Sequence, residues 1–147
     1  NAFVIGILMS ASSLTTALTS ARLGQLHRRF HPNNLIKFSF LLYTLALILI
    51  PFSLNTTMLL FPIVIFGLAQ GLNIPTVHTM LADLAPIEYR AAFMSFNGMV
   101  LRFGQTSGPL IIGFFYGLWG LNAAFYGGAA IAFFTFVIVY RIMKQLN

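Results

Sequence analysis

Apolar residues come in five long stretches along the chain, separated by short polar or turn-forming segments. The stretches cover about residues 2–21, 35–54, 58–82, 91–116 and 122–140. None alternates with a period of two, and each is longer than a strand in a soluble core. Each fits the roughly 20 apolar residues that one helix needs to cross a bilayer. Helices satisfy their own backbone amides and carbonyls, which hydrocarbon cannot do. Turn signals fall between them at His31-Pro32-Asn33-Asn34, Ser53-Leu54-Asn55-Thr56, Leu84-Ala85-Pro86 and Gly117-Leu118-Trp119-Gly120. The pattern predicts an all-α polytopic membrane chain with about five transmembrane helices.

Charge supports that expectation and adds an orientation. Of 147 residues only 7% are charged and 59% are hydrophobic, against roughly 25% charged in a soluble domain. The net charge of +6 does not point to nucleic acid, because the basic residues sit at the ends of apolar runs. Arg22, Arg28, Arg29 and Lys37 flank the first connection, Arg90 the third, and Arg141 and Lys144 the tail, whereas the second and fourth connections have none. The positive-inside rule places the first, third and last of these in the cytoplasm, in a multi-pass protein of the cell membrane. Tyr116, Trp119 and Tyr126 lie where an interfacial aromatic belt belongs. Asn1 stands inside an apolar run with no Met or basic segment before it. That argues against a signal peptide and for sequence upstream.

The residues leave little for catalysis. Cysteine is absent and the chain has two acids, so disulfides, thiolate metal sites and paired-carboxylate chemistry lack material. No HExxH, GxSxG or phosphate-cradling glycine loop occurs. No enzyme, metal or cofactor is expected. His27 and His31 have a spacing that could hold a metal on one helical face, but Pro32, Arg28 and Arg29 beside them favour a solvated juxtamembrane loop.

Arg102 lies about 11 residues into the fourth stretch, near the membrane midplane at 1.5 Å per residue. A charge there costs a few kcal/mol even on the mildest scale and persists with a partner or in a wet cavity. Ser95, Gly98, Arg102, Gln105, Thr106, Pro109 and Gly113 share one helical face, with Phe96, Val100, Phe103, Leu110, Ile111 and Phe114 opposite. One reading has Arg102 and Gln105 lining a solute path. The other has a structural Arg bonded to carbonyls or to an acid elsewhere. Gln70 and Asn73 share a face of the third stretch beside Pro75, and they suit either ligand binding or helix–helix bonding. Gly6, Ser10, Ser13, Ala17 and Ser20 form a small-residue face on the first, predicted to pack closely. By polarity, the second and fifth helices are expected to face lipid. Asp83, Glu88 and Arg90 frame the third connection. With Arg22, Arg28 and Arg29 they could form a cytoplasmic charge latch.

The order of these features resembles the major facilitator superfamily of secondary transporters. Ala21-Arg22-Leu23-Gly24-Gln25-Leu26-His27-Arg28-Arg29-Phe30 is similar to that family's cytoplasmic Gly-x-Leu-Ala-Asp-Arg-x-Gly-Arg-Arg loop, with Gln25 in place of its Asp and Arg28 in place of its second Gly. Leu84-Ala85-Pro86-Ile87-Glu88-Tyr89-Arg90-Ala91 resembles the loop entering the eleventh helix. The stretch from Gly104 through Gly108 and Pro109 to Gly113 resembles that helix's Gly-Pro motif and its counterpart in the fifth.

The resemblance implies that residues 1–147 are part of a C-terminal six-helix half, helices eight to twelve, with two to six as the competing register. It implies alternating access around a midplane site, with the N-terminal half of the same protein, lipid and a small-molecule substrate as partners. The eighth and eleventh helices would meet the other half and the tenth would line the cavity. The overall character resembles the drug–proton antiporter branch, giving proton-coupled efflux as the expected function. Uptake of an anionic metabolite with Arg102 as counter-ion, and a non-transporting scaffold or sensor, are the alternatives.

Overall fold

The computed structural model describes residues 2–145, and among them there is no strand. Helix α1 spans Ala2–Ala21, α2 Leu23–Arg29, α3 Pro32–Leu49, α4 Thr56–Leu84 and α5 Arg90–Gln145. Single 3-10 turns at Ile50–Phe52 and Ile87–Tyr89 follow α3 and precede α5. All but α2 are long and apolar enough to cross a membrane.

Unbroken, the 56 residues of α5 would extend about 84 Å, against roughly 30 Å of hydrocarbon. Gly120 resolves this, because its φ of 82° and ψ of −174° lie in a region that only glycine occupies without strain. A Cβ at Gly127 would stand 3.1 Å from the Phe115 ring, whereas a straight helix would hold those positions about 18 Å apart. The chain therefore doubles back at Gly120. Its two arms, 90–119 and 121–145, are each long enough to cross a bilayer, so that with α1, α3 and α4 the described residues hold five candidate spans. The predicted turn beginning at Gly117 is helical up to this one residue.

Local chemistry sets the other ends. His31 caps α3, its Nδ1 accepting from the Asn33 amide at 3.4 Å, and Pro32 follows at the first helical position. Proline is pre-organised there and has no amide to leave unpaired. The helix thus starts three residues before the apolar stretch does. Pro51 ends it by removing a donor, and the last turn tightens to 3-10. The expected first loop is corrected as well. Leu23–Arg29 is helical, anchored by buried Leu23 against Leu35 and Leu72, with Leu26 and Leu42 packed around them.

Helix α4 lies between α1 and α3, and α3 in turn meets α5. The α3–α5 contact is antiparallel: Leu47 reaches Gly128, and Lys37 Nζ sits 5.2 Å from the Tyr140 ring centroid. Tyr43 of α3 meets Phe66 of α4 edge-on at 5.1 Å between centroids. Alternation puts α2, Lys37, Asp83, Glu88, Arg90, Arg141 and Lys144 at one end of the bundle, its basic end. The expectation that the second helix is chiefly a lipid-facing element needs correction. Ser39, Thr44 and Ala46 of α3 are buried, while Phe38, Leu41, Leu45 and Ile48 face outward. Two small hydroxyl side chains within an oily sequence mark its inner face.

Candidate solute path and the helix contacts around it

Among the described glycines, the closest approach to a neighbouring helix joins α1 to α4. Cβ atoms added at Gly67 and Gly71 would stand 2.7 Å from the Ser12 and Thr16 carbonyl oxygens, respectively. Without side chains there, the backbones approach closely enough for hydroxyls of α1 to reach carbonyls of α4. Thr16 Oγ1 donates to Gly67 O at 3.1 Å, and Ser20 Oγ donates to Gly71 O at 3.2 Å. Pro75 has no amide to give the carbonyl four residues earlier, which is that of Gly71. Ser20 takes the missing donor's place.

This contact uses another face of α1 than the predicted one. Gly6 has nothing within 4 Å of an added Cβ, and Ser10, Ser13 and Ala17 are exposed. Only Ser20 of the predicted stripe enters the interface. The Gly67-x-x-x-Gly71 spacing was the signal in the sequence.

Those two amides diverge. Gln70 turns toward α1, where its Oε1 lies 3.4 Å from Thr16 Oγ1. Asn73 turns toward α3 and donates to Ser39 Oγ at 2.9 Å, and that fully buried hydroxyl donates to Ile36 O at 2.7 Å. Gln70 also borders an open cavity of about 550 Å³ between α1, α3, α4 and the second arm of α5, with Met9, Ser12, Leu47, Phe66 and Phe125. The amide is half-buried among mainly apolar walls, a mix that suits an amphipathic ligand.

Arg102 and Gln105 are exposed on the first arm of α5. Arg102 borders a shallow concavity with Ser95, Gly98, Met99, Phe103 and Thr106. Thr106 Oγ1 bonds back to Arg102 O at 3.0 Å and Ser107 Oγ to Phe103 O at 2.7 Å, so both hydroxyls serve their own helix. Gly104, Gly108 and Gly113 have nothing within 4 Å of an added Cβ, and Pro109 is exposed. The opposite face is equally uncovered, with Phe96 67% and Phe114 64% exposed. For that face lipid is an adequate solvent. For the guanidinium it is not.

Gln70, Asn73, Arg102 and Gln105 therefore do not gather in one pocket. Two belong to the α1–α4–α3 contact, and two to the open face of the first arm. Of the proposed latch, Arg22, Arg28 and Arg29 are exposed on and beside α2, Asp83 is exposed in the last turn of α4, and Glu88 and Arg90 are exposed beyond it. His27 joins these regions, its Nε2 3.3 Å from Thr76 Oγ1. The Thr76 hydroxyl hydrogen is committed to Leu72 O at 2.6 Å, so Nε2 is the donor. With His27 on Thr76 and His31 capping α3, the two histidines serve separate helices. Among the described residues no group of three or more His, Cys, Asp or Glu could hold a metal ion.

Comparison with known proteins agrees with this architecture. The Major Facilitator Superfamily profile matches residues 1–145. A multidrug resistance protein MdtG of Erwinia billingiae is 29% identical over 146 residues, which is 98% of this chain and 35% of that protein. The MdtG of Escherichia coli K12 is 27% identical over the same shares of each chain. The chain thus spans about a third of the length of these curated relatives. With its membrane-crossing helices and a family match over nearly its whole length, the chain belongs to the Major Facilitator Superfamily.

Proposed function

We propose that the protein exports small amphipathic compounds by proton-coupled alternating access, and that this chain supplies helices eight to twelve. In that placement α1, α3 and α4 are the eighth, ninth and tenth helices, and the arms of α5 the eleventh and twelfth. Its relatives' name, multidrug resistance protein, supports efflux of drug-like molecules. The basic end of the bundle is then cytoplasmic, and the C-terminus with it.

One observation carries the reading: the first arm of α5 bears Arg102 and Gln105 on an uncovered face near mid-membrane. A charge at that depth is retained beside water or a partner, and a solute path across the bilayer supplies the water. Gly104, Gly108, Pro109 and Gly113 lie along the same open helix and let another half of the transporter approach its backbone. Gln70 borders the mainly apolar cavity between α1, α3, α4 and the second arm of α5, with Asn73 holding α4 against α3. Rocking of one half against the other would expose the path alternately to either side. Arg22, Arg28 and Arg29 would pair with Asp83 and Glu88 in one of those states.

A second reading is favoured by the same guanidinium: uptake of an anionic metabolite with Arg102 as its counter-ion. Transport assays on the full-length protein with Arg102→Lys and Arg102→Gln separate the two. Under the efflux reading, cationic and neutral compounds remain substrates of Arg102→Gln, and collapsing the proton gradient stops their export. Selective loss of anionic substrates in Arg102→Gln, restored by Arg102→Lys, would favour uptake instead. Export that survives loss of the gradient would remove the proton coupling.

A further inference from the structure

We propose that the trench between α1 and α3, at the basic end of the bundle, binds one anionic phospholipid, its acyl chain against α4 and its phosphate between Arg22 and Arg29. This inference rests on membrane residence, not on the transport reading.

Two adjoining cavities form the trench. One, about 410 Å³, is bordered by Leu18, Leu42 and Leu68 together with Arg22. The other, about 340 Å³, is bordered by Phe30, Asn34 and Leu35. Both share Leu26, Phe38 and Leu72. Thr15 and Thr19 also border the first, but their hydroxyls donate to Ala11 O and Thr15 O, both at 2.8 Å. Their donors are spent on their own helix. A trench so poor in free donors offers a polar solute little, and apolar chain gains roughly 0.8 kcal/mol per buried methylene only if it leaves water. A lipid tail is apolar chain that arrives already tethered at the right depth.

The polar end has its own residues. A third cavity, bordered by Gln25, Leu26, Arg28 and Arg29, adjoins the other two, so Leu26 belongs to all three. Arg22, the residue that caps α2, and Leu26 and Arg29 on it fall at positions i, i+4 and i+7, one side of a helix. An oily side chain thus stands between two exposed guanidinium groups at the mouth of an oily trench. Lys37, the basic residue of α3, sits over the Tyr140 ring instead. Guanidinium is the group best matched to phosphate oxygens, and basic pockets between helices at a membrane surface favour anionic headgroups. Charge complementarity therefore selects an anionic lipid over a zwitterionic one.

Native mass spectrometry of the full-length protein in detergent tests this, using phosphatidylglycerol and phosphatidylcholine with identical acyl chains. The expected result is one retained phosphatidylglycerol, preferred about tenfold over phosphatidylcholine. Arg22→Gln and Arg29→Gln should each weaken phosphatidylglycerol by about fivefold and leave phosphatidylcholine unchanged. Both arginines are exposed, so these variants keep the fold, and Arg22→Lys should restore most of the preference. Leu68→Trp, which fills the trench from an exposed position, should weaken both lipids. Equal binding of the two lipids to the unaltered protein would overturn the proposal. So would displacement by glycerol phosphate alone, which would mean an anion site without a tail. A photo-reactive group at residue 68 that captures another segment of the polypeptide instead of lipid would overturn it too.

Discussion

Ser20 of α1 donates to the carbonyl of Gly71 on α4 at 3.2 Å, the carbonyl that Pro75 leaves without its helical donor. The proline and the serine lie on different helices, yet each explains the other. A double-mutant cycle on the full-length protein tests the relationship. Ser20→Ala should cost about 1 kcal/mol, within the range of interhelical bonds in membranes. In a Pro75→Ala background the new amide satisfies Gly71 O, and the cost of Ser20→Ala should fall below about 0.5 kcal/mol. Equal costs in both backgrounds, read from thermal unfolding in detergent, would break the link.

The glycine pair should be far less tolerant than the other helical glycines. An added Cβ at Gly71 meets Thr16 O and Thr19 Cβ, both at 2.7 Å, so Gly71→Ala must push two backbones apart. Overpacking of that kind costs about 1–3 kcal/mol, and it also lengthens the Thr16 and Ser20 bonds. Gly67→Ala should behave alike. Gly6→Ala, with open space around the new methyl, should leave the unfolding temperature unchanged.

How much of this was legible depends on what signal each feature leaves in the sequence. Spans of 20 or so apolar residues are set by bilayer thickness, so the helices were readable from length alone. Contact faces were not. On α1 the small-residue rule points to Gly6, Ser10, Ser13, Ala17 and Ser20, of which Ser20 meets α4, beside Ser12, Thr15, Thr16 and Thr19 of another face. Several polar faces of one helix look equally suitable until the partner's glycines are known. Gln70 and Asn73 shared a face in projection, but partners on opposite neighbours, Thr16 and Ser39, draw them apart. Helix α2 left only seven residues of pattern, too few for periodicity. Arg102 stands out in the sequence because a charge deep in an oily span is expensive wherever it points.

The proposed charge latch would have a distinct signature. Glu88 and Arg28 are both exposed at the basic end of the bundle, and the latch would bring them together in one state of the transport cycle. Glu88→Arg should slow transport by shifting the balance of inward- and outward-open states. Glu88→Arg combined with Arg28→Glu should recover part of it. Distances between spin labels on the two halves of the full-length protein would follow the shift. Unchanged distances and unchanged transport in the single variant would count against the latch.

Water access along the first arm of α5 is the most direct measurement of the central claim. This chain has no cysteine of its own, so single cysteines can be placed at Gln105 and, across the helix, at Val100. Treatment of the full-length protein in membranes with a charged thiol reagent should label position 105 readily and position 100 hardly at all. A transported compound should slow the reaction at 105. Labelling at 100 with protection at 105, whatever compound is added, would mean that the polar face is buried against protein and that no aqueous path runs past Arg102.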